Sequence, residues 1–405
     1  MDTLITKTKI DAGAKIIRRG GLVAVPTETV YGLAGNGLDP EAVEKIYEVK
    51  GRPAVKPLSL MVPGPEAMGK YCRDVPKAAY ALAKKFWPGP LTIVLRSRAL
   101  VPEIVRAGGA TVGLRCPDHK KTLKLLKAAK VPFAAPSANP SGAPSPRTAL
   151  EVKTYFDGKI DAIIDGGECG LGRESTIIDM SKKPYKILRQ GALPAEDIAD
   201  ALATEMRLIG ITGGTGCGKT SALERLEKRG ALIIDCDRVY HEMLEHDRDM
   251  LGEIEQWFPG AVVDGKLNRK ELGAVVFADE TALEDLNRIT HKHIDNKING
   301  MLRDWAMAGG TLAAIDAIAL IESGISKKCC ATVGVVADNN TRIERIMARD
   351  NISREYAMMR VNAQQNTEFY RQNGDHILEN NGSVRDFKKE CDALFTEVLK
   401  FETKR

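Results

Sequence analysis

Residues 213–220 have types and a spacing that suit the binding of a triphosphate. Their sequence, Gly-Gly-Thr-Gly-Cys-Gly-Lys-Thr, fits G-x-x-x-x-G-K-[ST] and follows the apolar run at 208–211. Glycines let successive backbone N–H groups approach phosphate oxygens without a Cβ in the way, and the helix that follows adds the positive end of its dipole. We therefore predict a phosphate loop that binds ATP and Mg²⁺, with Lys219 on the β- and γ-phosphates and Thr220 on the metal. The predicted ATP-binding residues of this loop are Gly214, Gly216, Cys217, Gly218, Lys219, Thr220 and Ser221.

Two carboxylates follow the next predicted strand of the same half, in the sequence Ile-Ile-Asp-Cys-Asp at 233–237. Alternation along an extended segment would put Asp235 and Asp237 on one side. One could accept a hydroxyl proton while the other orients magnesium through water. Farther on, the basic stretch 338–365 predicts a helical lid whose arginines could neutralise a transferring phosphoryl group, although a solvated helix face is the alternative.

The first half carries four polar clusters, each after the end of a predicted strand or helix. They are Pro-Thr-Glu-Thr-Val-Tyr-Gly-Leu at 26–33, Lys-Gly-Arg-Pro at 50–53, Ser-Ala-Asn at 137–139 and Arg-Gln-Gly at 189–191. Lys50 and Arg52 leave a helix end together and could clamp an anion. Ser137 and Asn139 could offer a hydroxyl and an amide to a polar ligand. Taken singly, each pair is more often a turn or surface decoration.

Both halves predict α/β structure. Apolar runs in the first half predict strands at 22–25, 91–95, 111–114, 131–135, 162–164 and 176–178, separated by helical patterns. One helix is bounded by its own residues, because Asp39 is a good N-cap, Pro40 suits the first turn and Gly51 ends it. In the second half, runs at 208–212, 232–235, 312–316, 332–337 and 376–379 alternate with helices. This alternation predicts a parallel, doubly wound sheet with ligands beyond the carboxyl ends of the strands.

Length and composition predict two domains without a membrane segment. The chain has 405 residues, 43% of them hydrophobic, which is enough for two cores. The clearest signal of a domain boundary is a short linker at 193–206, so we divide the chain into 1–204 and 205–405. The net charge of +5 suits anionic small molecules or RNA and does not discriminate between them. Eight scattered cysteines without C-x-x-C argue against a disulfide framework or a zinc site. No apolar run approaches the length of a membrane span, and we expect a cytoplasmic protein.

Together, the clusters of the first half resemble the threonylcarbamoyl-adenylate synthase family, called YrdC-like, over roughly residues 4–200. The K-x-R and S-x-N signatures occur in the family's order. The same order includes Trp-Pro-Gly-Pro-Leu-Thr at 87–92, Val-Gly-Leu-Arg at 112–115 and Glu-Ser-Thr at 174–176. The resemblance implies a twisted sheet that joins L-threonine, bicarbonate and ATP into threonylcarbamoyl-AMP with release of pyrophosphate. It also implies tRNA, or tRNA-modification proteins, as partners, because the product feeds N6-threonylcarbamoyladenosine formation.

The resemblance also assigns residues by position. ATP would be held by Lys50, Arg52, Thr111, Ser137, Asn139, Ser145 and Arg189. Threonine would be held by Thr29, Arg115 and Ser175, with Arg115 on its carboxylate. Fixed cations and one magnesium ion would stabilise the negative charge that builds up, and Lys50 and Arg52 are the expected catalytic pair.

The second half resembles dephospho-CoA kinase over about residues 206–400. The phosphate loop is followed in family order by Asp-Cys-Asp at 235–237, Leu-Asn-Arg-Ile-Thr-His at 286–291, Arg-Asp at 349–350 and Leu-Glu-Asn-Asn-Gly at 378–382. The family phosphorylates the ribose 3′-hydroxyl of dephospho-CoA. The resemblance implies Asp237 as general base with Asp235 as its support, and Lys219 and Arg349 as γ-phosphate stabilisers. It further implies His291 in the acceptor region and Asn380 beside the adenine.

One segment departs from the kinase family. The family has Pro-Leu-Leu between the third-strand Asp and a Glu, whereas residues 316–322 are Asp-Ala-Ile-Ala-Leu-Ile-Glu. Loss of the proline changes the backbone preference of a loop beside the acceptor site, so Ile318 could lower or alter acceptor binding.

We interpret the chain as a bifunctional enzyme and keep two alternatives open. In one, the first half is a non-catalytic double-stranded RNA or tRNA-binding module. In the other, the second half is a phosphate-loop kinase for a different small-molecule acceptor, because the loop alone fixes ATP use and not the acceptor.

Overall fold

The computed structural model describes residues 3–400, which form two compact units. The first unit contains the residues up to Glu205 together with Met307–Gly309, and the second contains the rest. None of the helices in the described part of the chain combines the length and apolarity needed to cross a membrane.

The first unit is built on a mixed sheet of ten strands in the described residues. The strands are β1 (Leu4–Thr6), β2 (Val23–Val25), β3 (Gly32–Asn36), β4 (Ser59–Met61), β5 (Leu91–Arg96), β6 (Thr111–Arg115), β7 (Phe133–Ala134), β8 (Ala162–Ile164), β9 (Thr176–Asp179) and β10 (Lys186–Arg189). Their order across the sheet is β1-β8-β2-β3-β7-β4-β6-β5-β9-β10. The sheet contains both parallel pairs, such as β4–β6, and antiparallel pairs, such as β5–β6, so its strands do not all run in one direction.

Eight helices cover this sheet in the described residues. They are α1 (Ile10–Arg18), α2 (Pro40–Lys50), α3 (Ala67–Tyr71), α4 (Lys77–Phe86), α5 (Glu103–Arg106), α6 (Lys120–Ala129), α7 (Ala149–Phe156) and α8 (Ala195–Thr204). The predicted bounds of α2 are confirmed: the Asp39 side chain accepts a hydrogen bond from the Glu41 N–H, and Gly51 ends the helix at a φ of 56°. Helices α1 and α6 bury Ile17 and Leu125 in the core against β2 and β8.

The second unit is built on a parallel sheet of five strands. These strands are β11 (Arg207–Thr212), β12 (Leu232–Asp235), β15 (Leu312–Asp316), β16 (Ala331–Val336) and β17 (His376–Glu379), in the order β12-β15-β11-β16-β17. A separate antiparallel hairpin consists of β13 (Val262–Val263) and β14 (Lys266–Leu267). The predicted parallel, doubly wound sheet is therefore confirmed, with the phosphate loop at the carboxyl end of the central strand β11.

Nine helices accompany the second sheet in the described residues. They are α9 (Lys219–Glu227), α10 (Cys236–His246), α11 (Arg248–Trp257), α12 (Arg269–Val276), α13 (Glu280–Met307), α14 (Asn339–Asp350), α15 (Arg354–Asn362), α16 (Thr367–Asn373) and α17 (Val384–Val398). Helices α9 and α17 bury Leu226, Phe387 and Phe395 in the core against the central strands. Helices α14 and α15 form the predicted helical lid, with Ile346 and Ala357 packed in a small core of their own.

Candidate active sites

Six of the residues predicted to bind ATP or threonine line one cavity in the first unit. The cavity has a volume of about 310 Å³, and these six residues are Arg52, Thr111, Arg115, Ser137, Ser175 and Arg189. Three of them lie on β6 and β10, and the other three lie outside the strands, at positions after α2, after β7 and directly before β9. They therefore approach one another only in the folded sheet. Three guanidinium groups on one cavity favour an anionic ligand.

Lys50 and Arg52 diverge after the end of α2. Arg52 reaches the cavity and donates hydrogen bonds to the carbonyls of Lys56 (3.2 Å) and Pro57 (3.0 Å). Lys50 is only 3% exposed and donates instead to the backbone carbonyls of Ser137 and Asn139. Burial, with Arg52 nearby, lowers the pKa of the Lys50 ammonium to about 8. Lys50 thus holds the segment at 137–139, which borders the cavity, and does not itself line it.

Arg115 is paired with a carboxylate of the protein. Its Nη2 donates to Glu28 Oε1 (2.7 Å) and to the Thr29 hydroxyl (2.8 Å), so Thr29 orients Arg115 from outside the cavity lining. Glu28 was not among the predicted site residues, although it stands within the 26–33 cluster. A ligand carboxylate bound at Arg115 would replace Glu28 as the anion that neutralises the guanidinium charge.

Glu174 makes the equivalent contact on the other side of the cavity. Its carboxylate accepts from Arg189 Nη1 (2.8 Å) and from the Ser145 hydroxyl (3.1 Å). Glu174 lines the cavity, and its charge also acts on Lys50 and Arg52. Sequence reasoning missed this residue, although the Glu-Ser-Thr motif that contains it was recognised.

Asn139 has a buried acceptor without a partner. Its Nδ2 donates to the carbonyls of Pro140 (3.0 Å) and Ala143 (2.7 Å), which fixes the amide. Within residues 3–400, Oδ1 has no hydrogen-bond donor. Because buried polar atoms are normally satisfied, this oxygen suits a donor on a ligand.

In the second unit, the phosphate loop (residues 213–220) has the backbone of an anion-binding nest. Gly213, Gly216 and Gly218 have φ values of 141°, 83° and 96°, which favour glycine. The N–H groups of Gly216, Gly218, Lys219 and Thr220 find no acceptor in the described part of the chain. Helix α9 begins at Lys219 and directs its positive end toward the same place.

Asp316 ends β15 beside the loop and was missed as a site residue. Lys219 Nζ donates to the Gly213 carbonyl (3.0 Å) and lies 3.8 Å from Asp316 Oδ1. Burial raises the pKa of the Asp316 carboxyl to about 6, against the opposing charge of Lys219, and Asp235 and Asp237 raise it further. The residue follows an apolar run at the carboxyl end of a strand next to the loop, and that signal could have identified it.

The two other carboxylates are arranged differently from the sequence expectation. The prediction that Asp235 and Asp237 alternate along one strand was wrong, because β12 ends at Asp235 and α10 begins at Cys236. Asp235 is the N-cap of α10 and accepts from the Arg238 N–H (3.0 Å). Asp237 lies in the first helical turn.

Asp237 and His291 line a second cavity of about 460 Å³. Tyr240 and Asn287 line it as well, and Ile318 from the departing segment forms part of its wall. The Ile318 carbonyl accepts from the Thr212 hydroxyl (3.1 Å), which fixes this segment beside β11. The cavity thus combines a carboxylate with residues from α10, α13 and the segment after β15.

Arg349 and Asn380 differ in their relation to the loop. Asn380 is buried and donates from Nδ2 to the Cys217 carbonyl (2.8 Å). The Arg349 side chain is 58% exposed and pairs with Asp350 (2.7 Å), which also pairs with Arg360. The structure therefore brings Asn380 to the loop, whereas the contacts of Arg349 are those of a lid residue.

The residues near the loop fit a magnesium ion that is shared with a nucleotide. Among the described residues, no three His, Cys, Asp or Glu side chains are grouped so as to hold a metal by themselves. Asp316 Oδ1 is buried without a hydrogen-bond donor in the described chain, and the exposed Thr220 lies in the first turn of α9. An oxygen-only set of this kind suits Mg²⁺, which is commonly bound by one or two protein oxygens together with phosphates and water.

The fold and the loop define the second unit as a phosphate-loop nucleotide-binding domain, and the first as a mixed α/β sheet with a cationic cavity. A family model described as telomere recombination, for Sua5, YciO and YrdC, matches residues 15–191. One described as dephospho-CoA kinase, CoaE, matches residues 207–386. The chain belongs to the Sua5/YciO/YrdC family in its first unit and to the dephospho-CoA kinase family in its second.

Individual relatives match one half each. A threonylcarbamoyl-AMP synthase of Pyrococcus abyssi is 48% identical over 204 residues, which are 50% of this chain and 60% of that protein. A second one, from Pseudomonas syringae, is 34% identical over 46% of this chain and 100% of its own length. A dephospho-CoA kinase of Thermobifida fusca is 34% identical over 48% of this chain and 94% of its own length. The chain thus spans about 60% of the length of the Pyrococcus relative.

Proposed function

We propose that the chain is a bifunctional, ATP-using enzyme. Its first unit would make threonylcarbamoyl-AMP from L-threonine, bicarbonate and ATP, and its second would phosphorylate the ribose 3′-hydroxyl of dephospho-CoA. Two relatives support this pair of activities: one is named a threonylcarbamoyl-AMP synthase and the other a dephospho-CoA kinase. Each of them matches the chain over nearly its own whole length.

The convergence of Arg52, Arg115 and Arg189 on one cavity carries the first assignment. Adenylate and carbamate formation accumulate negative charge on phosphate and carboxylate oxygens, which fixed guanidinium groups stabilise without a protein nucleophile. Arg115 would bind the threonine carboxylate in place of Glu28, with Thr29 and Ser175 beside it. Arg52 and Arg189 would bind the triphosphate, with Thr111 and Ser145 nearby.

Lys50 and Asn139 would act from behind the cavity. Lys50 holds the carbonyls of Ser137 and Asn139, so it would fix the segment that contacts the nucleotide and add its charge to the site. The unpartnered Asn139 Oδ1 would accept a hydrogen bond from the adenine amino group.

The four free N–H groups of the phosphate loop carry the second assignment. They would bind the β- and γ-phosphates with Lys219, while Asn380 fixes the loop beside the adenine. Asp237 would accept the proton of the 3′-hydroxyl from its place in the second cavity, with Asp235 as its support and His291 near the acceptor. Arg349 would approach the γ-phosphate when the lid changes position over the nucleotide.

Magnesium is the metal that we propose for both reactions. In the second unit, Thr220 and Asp316 would hold it. When bound, it neutralises phosphate charge.

The two activities can be tested separately on one purified chain. We expect pyrophosphate release from ATP only when threonine and bicarbonate are both added, and ADP formation only when dephospho-CoA is added. Arg52→Ala should abolish the first reaction and spare the second, whereas Lys219→Ala should do the opposite, so each variant is the folding control for the other. Pyrophosphate release that is indifferent to threonine would refute the synthase assignment.

The acceptor has its own test. Asp237→Ala should lower turnover on dephospho-CoA by roughly 10²- to 10⁴-fold, as expected for loss of a general base, and leave ATP affinity unchanged. If the natural chain phosphorylates a nucleoside but not dephospho-CoA, the assignment of dephospho-CoA as the acceptor is wrong. Ile318 would then be the first residue to examine.

We also propose a cytoplasmic location and tRNA-modification proteins, or tRNA itself, as the destination of the first product.

A further inference from the structure

Three consecutive carbonyls of the phosphate loop each accept a hydrogen bond from a side chain outside the loop. The contacts are Arg342 Nε to the Thr215 carbonyl (3.0 Å), Arg345 Nη1 to the Gly216 carbonyl (3.4 Å) and Asn380 Nδ2 to the Cys217 carbonyl (2.8 Å). The C=O and N–H groups of one peptide unit point in opposite directions. Donors that hold these carbonyls on one side of the loop therefore direct the N–H groups of Gly216 and Gly218 toward the other side, where a phosphate would lie. The N–H of Cys217, between them, donates to the Gly214 carbonyl (3.2 Å).

Arg342 is unusual among these donors because it is a buried cation without a carboxylate. It is 2% exposed, and none of the hydrogen bonds that it makes within residues 3–400 goes to a carboxylate. Its remaining donors contact neutral oxygens, Gln364 Oε1 at 2.9 Å and Asn339 Oδ1 at 3.5 Å. A buried charge that is not neutralised is costly. A triphosphate bound to the adjacent loop would supply the missing negative charge.

Gln364 completes the contact with Thr215. Its Oε1 accepts from the Thr215 N–H (2.8 Å) as well as from Arg342, and its Nε2 donates to the Thr215 hydroxyl (2.9 Å). Two side chains thus hold the carbonyl, the N–H and the hydroxyl of one loop residue. A Cβ at Gly214 would lie 2.1 Å from Arg342 Nη2, so the guanidinium lies directly against the loop.

We propose that Arg342 is a positioning residue for nucleotide binding, which together with Gln364 holds the phosphate loop with its free N–H groups toward the triphosphate. The inference rests on the proposed kinase function and names a residue that the motif does not contain. Arg342 lies in α14 and Gln364 just after α15, so the contact also joins the lid helices to the loop. A change in lid position is thereby transmitted to ATP affinity.

The test is ATP binding by the full-length chain in the absence of any acceptor. All variants carry Arg52→Ala, so that the first unit does not contribute an ATP site. Arg342→Met should weaken ATP binding roughly 10- to 100-fold, the effect of losing a charge-assisted hydrogen bond and leaving its acceptor unsatisfied. Arg342→Lys should lie between, because it keeps the charge but not the planar fork. Arg371→Met, which removes an exposed arginine paired with Glu379, is the matched control and should bind ATP like its parent.

Steady-state and unfolding measurements separate positioning from a purely structural role. In the kinase reaction, Arg342→Met should raise the KM for ATP and leave the KM for dephospho-CoA unchanged. ATP should raise the thermal midpoint of the second unit less in this variant than in the parent. Should Arg342→Met not fold, Gln364→Leu takes its place, because it removes the partner of both Thr215 and Arg342 at a half-buried position.

Folded Arg342→Met, or folded Gln364→Leu, with the parent's ATP affinity would overturn the proposal. Because no acceptor is present, an error in the acceptor assignment cannot produce that result. A parent chain that does not bind ATP at the second unit would instead refute the proposed kinase function.

Discussion

Because Lys50 is a buried cation, its contribution to the stability of the fold depends on pH. Its pKa is lowered to about 8 because the ammonium is removed from water and lies near Arg52. The folded chain therefore binds fewer protons than the unfolded chain between about 8 and the ordinary lysine value. The stability contribution of Lys50 consequently rises with pH across that window, while its positive charge is lost.

We expect the KM for ATP in pyrophosphate release to rise above pH 8, by up to about tenfold per pH unit, as Lys50 loses its proton. The maximal rate should change less, because bound triphosphate favours the charged amine. In Lys50→Met the KM should be high and independent of pH over the same range. A natural chain with a constant KM from pH 7 to 9.5 would contradict a charged Lys50 in ATP binding.

For the carboxylate of Asp316, stability changes with pH in the opposite direction. Burial raises the pKa of its carboxyl group to about 6, so the folded chain retains a proton that the unfolded chain loses near pH 4. Stability is therefore lost as the pH rises from about 4 to about 6, and the whole cost is present at neutral pH. The nearby Asp235 and Asp237 add to this cost, and Lys219 reduces it.

Asp316→Asn should accordingly stabilise the ligand-free second unit at pH 7.5 by about 1–3 kcal/mol and reduce kinase turnover. The stabilisation should disappear near pH 4. Denaturant unfolding at the two pH values measures it. An Asn variant that is less stable than the natural chain at pH 7.5 would mean that the ion pair with Lys219 outweighs burial.

Two glycines with positive φ, one in the phosphate loop and one after α9, differ in the space around them. Gly218 has a φ of 96°, and a Cβ there would lie 2.1 Å from the buried Asn380 Nδ2. Gly230, after α9, has a φ of 83°, but a Cβ there meets nothing within 4 Å. A side chain at Gly230 would therefore cause backbone strain alone, whereas one at Gly218 would cause both backbone strain and a steric conflict.

We expect Gly230→Ala to cost about 1–2 kcal/mol of stability, the price of a left-handed alanine, without a change in ATP affinity. Gly218→Ala should cost more and also weaken ATP binding, because Asn380 must move away from the Cys217 carbonyl. Equal ATP affinity in the two variants, measured without acceptor, would contradict this account of the loop.

The sequence predicted those elements whose signals are local. Strands β11, β12 and β15 were predicted within a residue because each is an apolar run of four to six residues in a βα alternation. Strands β3, β4 and β10 were missed for three different reasons: β3 is Gly-Leu-Ala-Gly-Asn, β4 has three residues, and β10 is an exposed edge strand.

Side-chain direction was harder to predict than position. Nothing local shows that Lys50 turns inward to Ser137, because that contact spans 87 residues. Arg342 belongs to a basic stretch that resembles a solvated helix face, and only its contact with Thr215, 127 residues away, distinguishes it. Glu28 and Glu174 stood within recognised motifs, but their pairing with arginines depends on the sheet.

At the scale of the whole molecule, each unit has its own sheet and its own buried core. The two meet in sequence between Glu205 and Met206, one residue from the boundary that we predicted and still propose. Units with separate cores generally fold separately.

Fragments 1–204 and 205–405 should therefore each be soluble and cooperatively folded. The first should release pyrophosphate with threonine and bicarbonate, and the second should phosphorylate dephospho-CoA, each at the rate of the full chain. Circular dichroism and the two assays provide the measurement. Two insoluble fragments would show that this boundary cuts an obligate contact.

The presence of two self-contained sheets on one polypeptide also has a consequence for the cell. One translation event produces one copy of each unit, so their ratio is one to one whatever the promoter, the messenger lifetime or the inheritance of protein at division. A protease that recognises one unit removes the other with it. A change in demand for either product can then be met only at each site, through affinity and turnover, and not through the relative abundance of the two units.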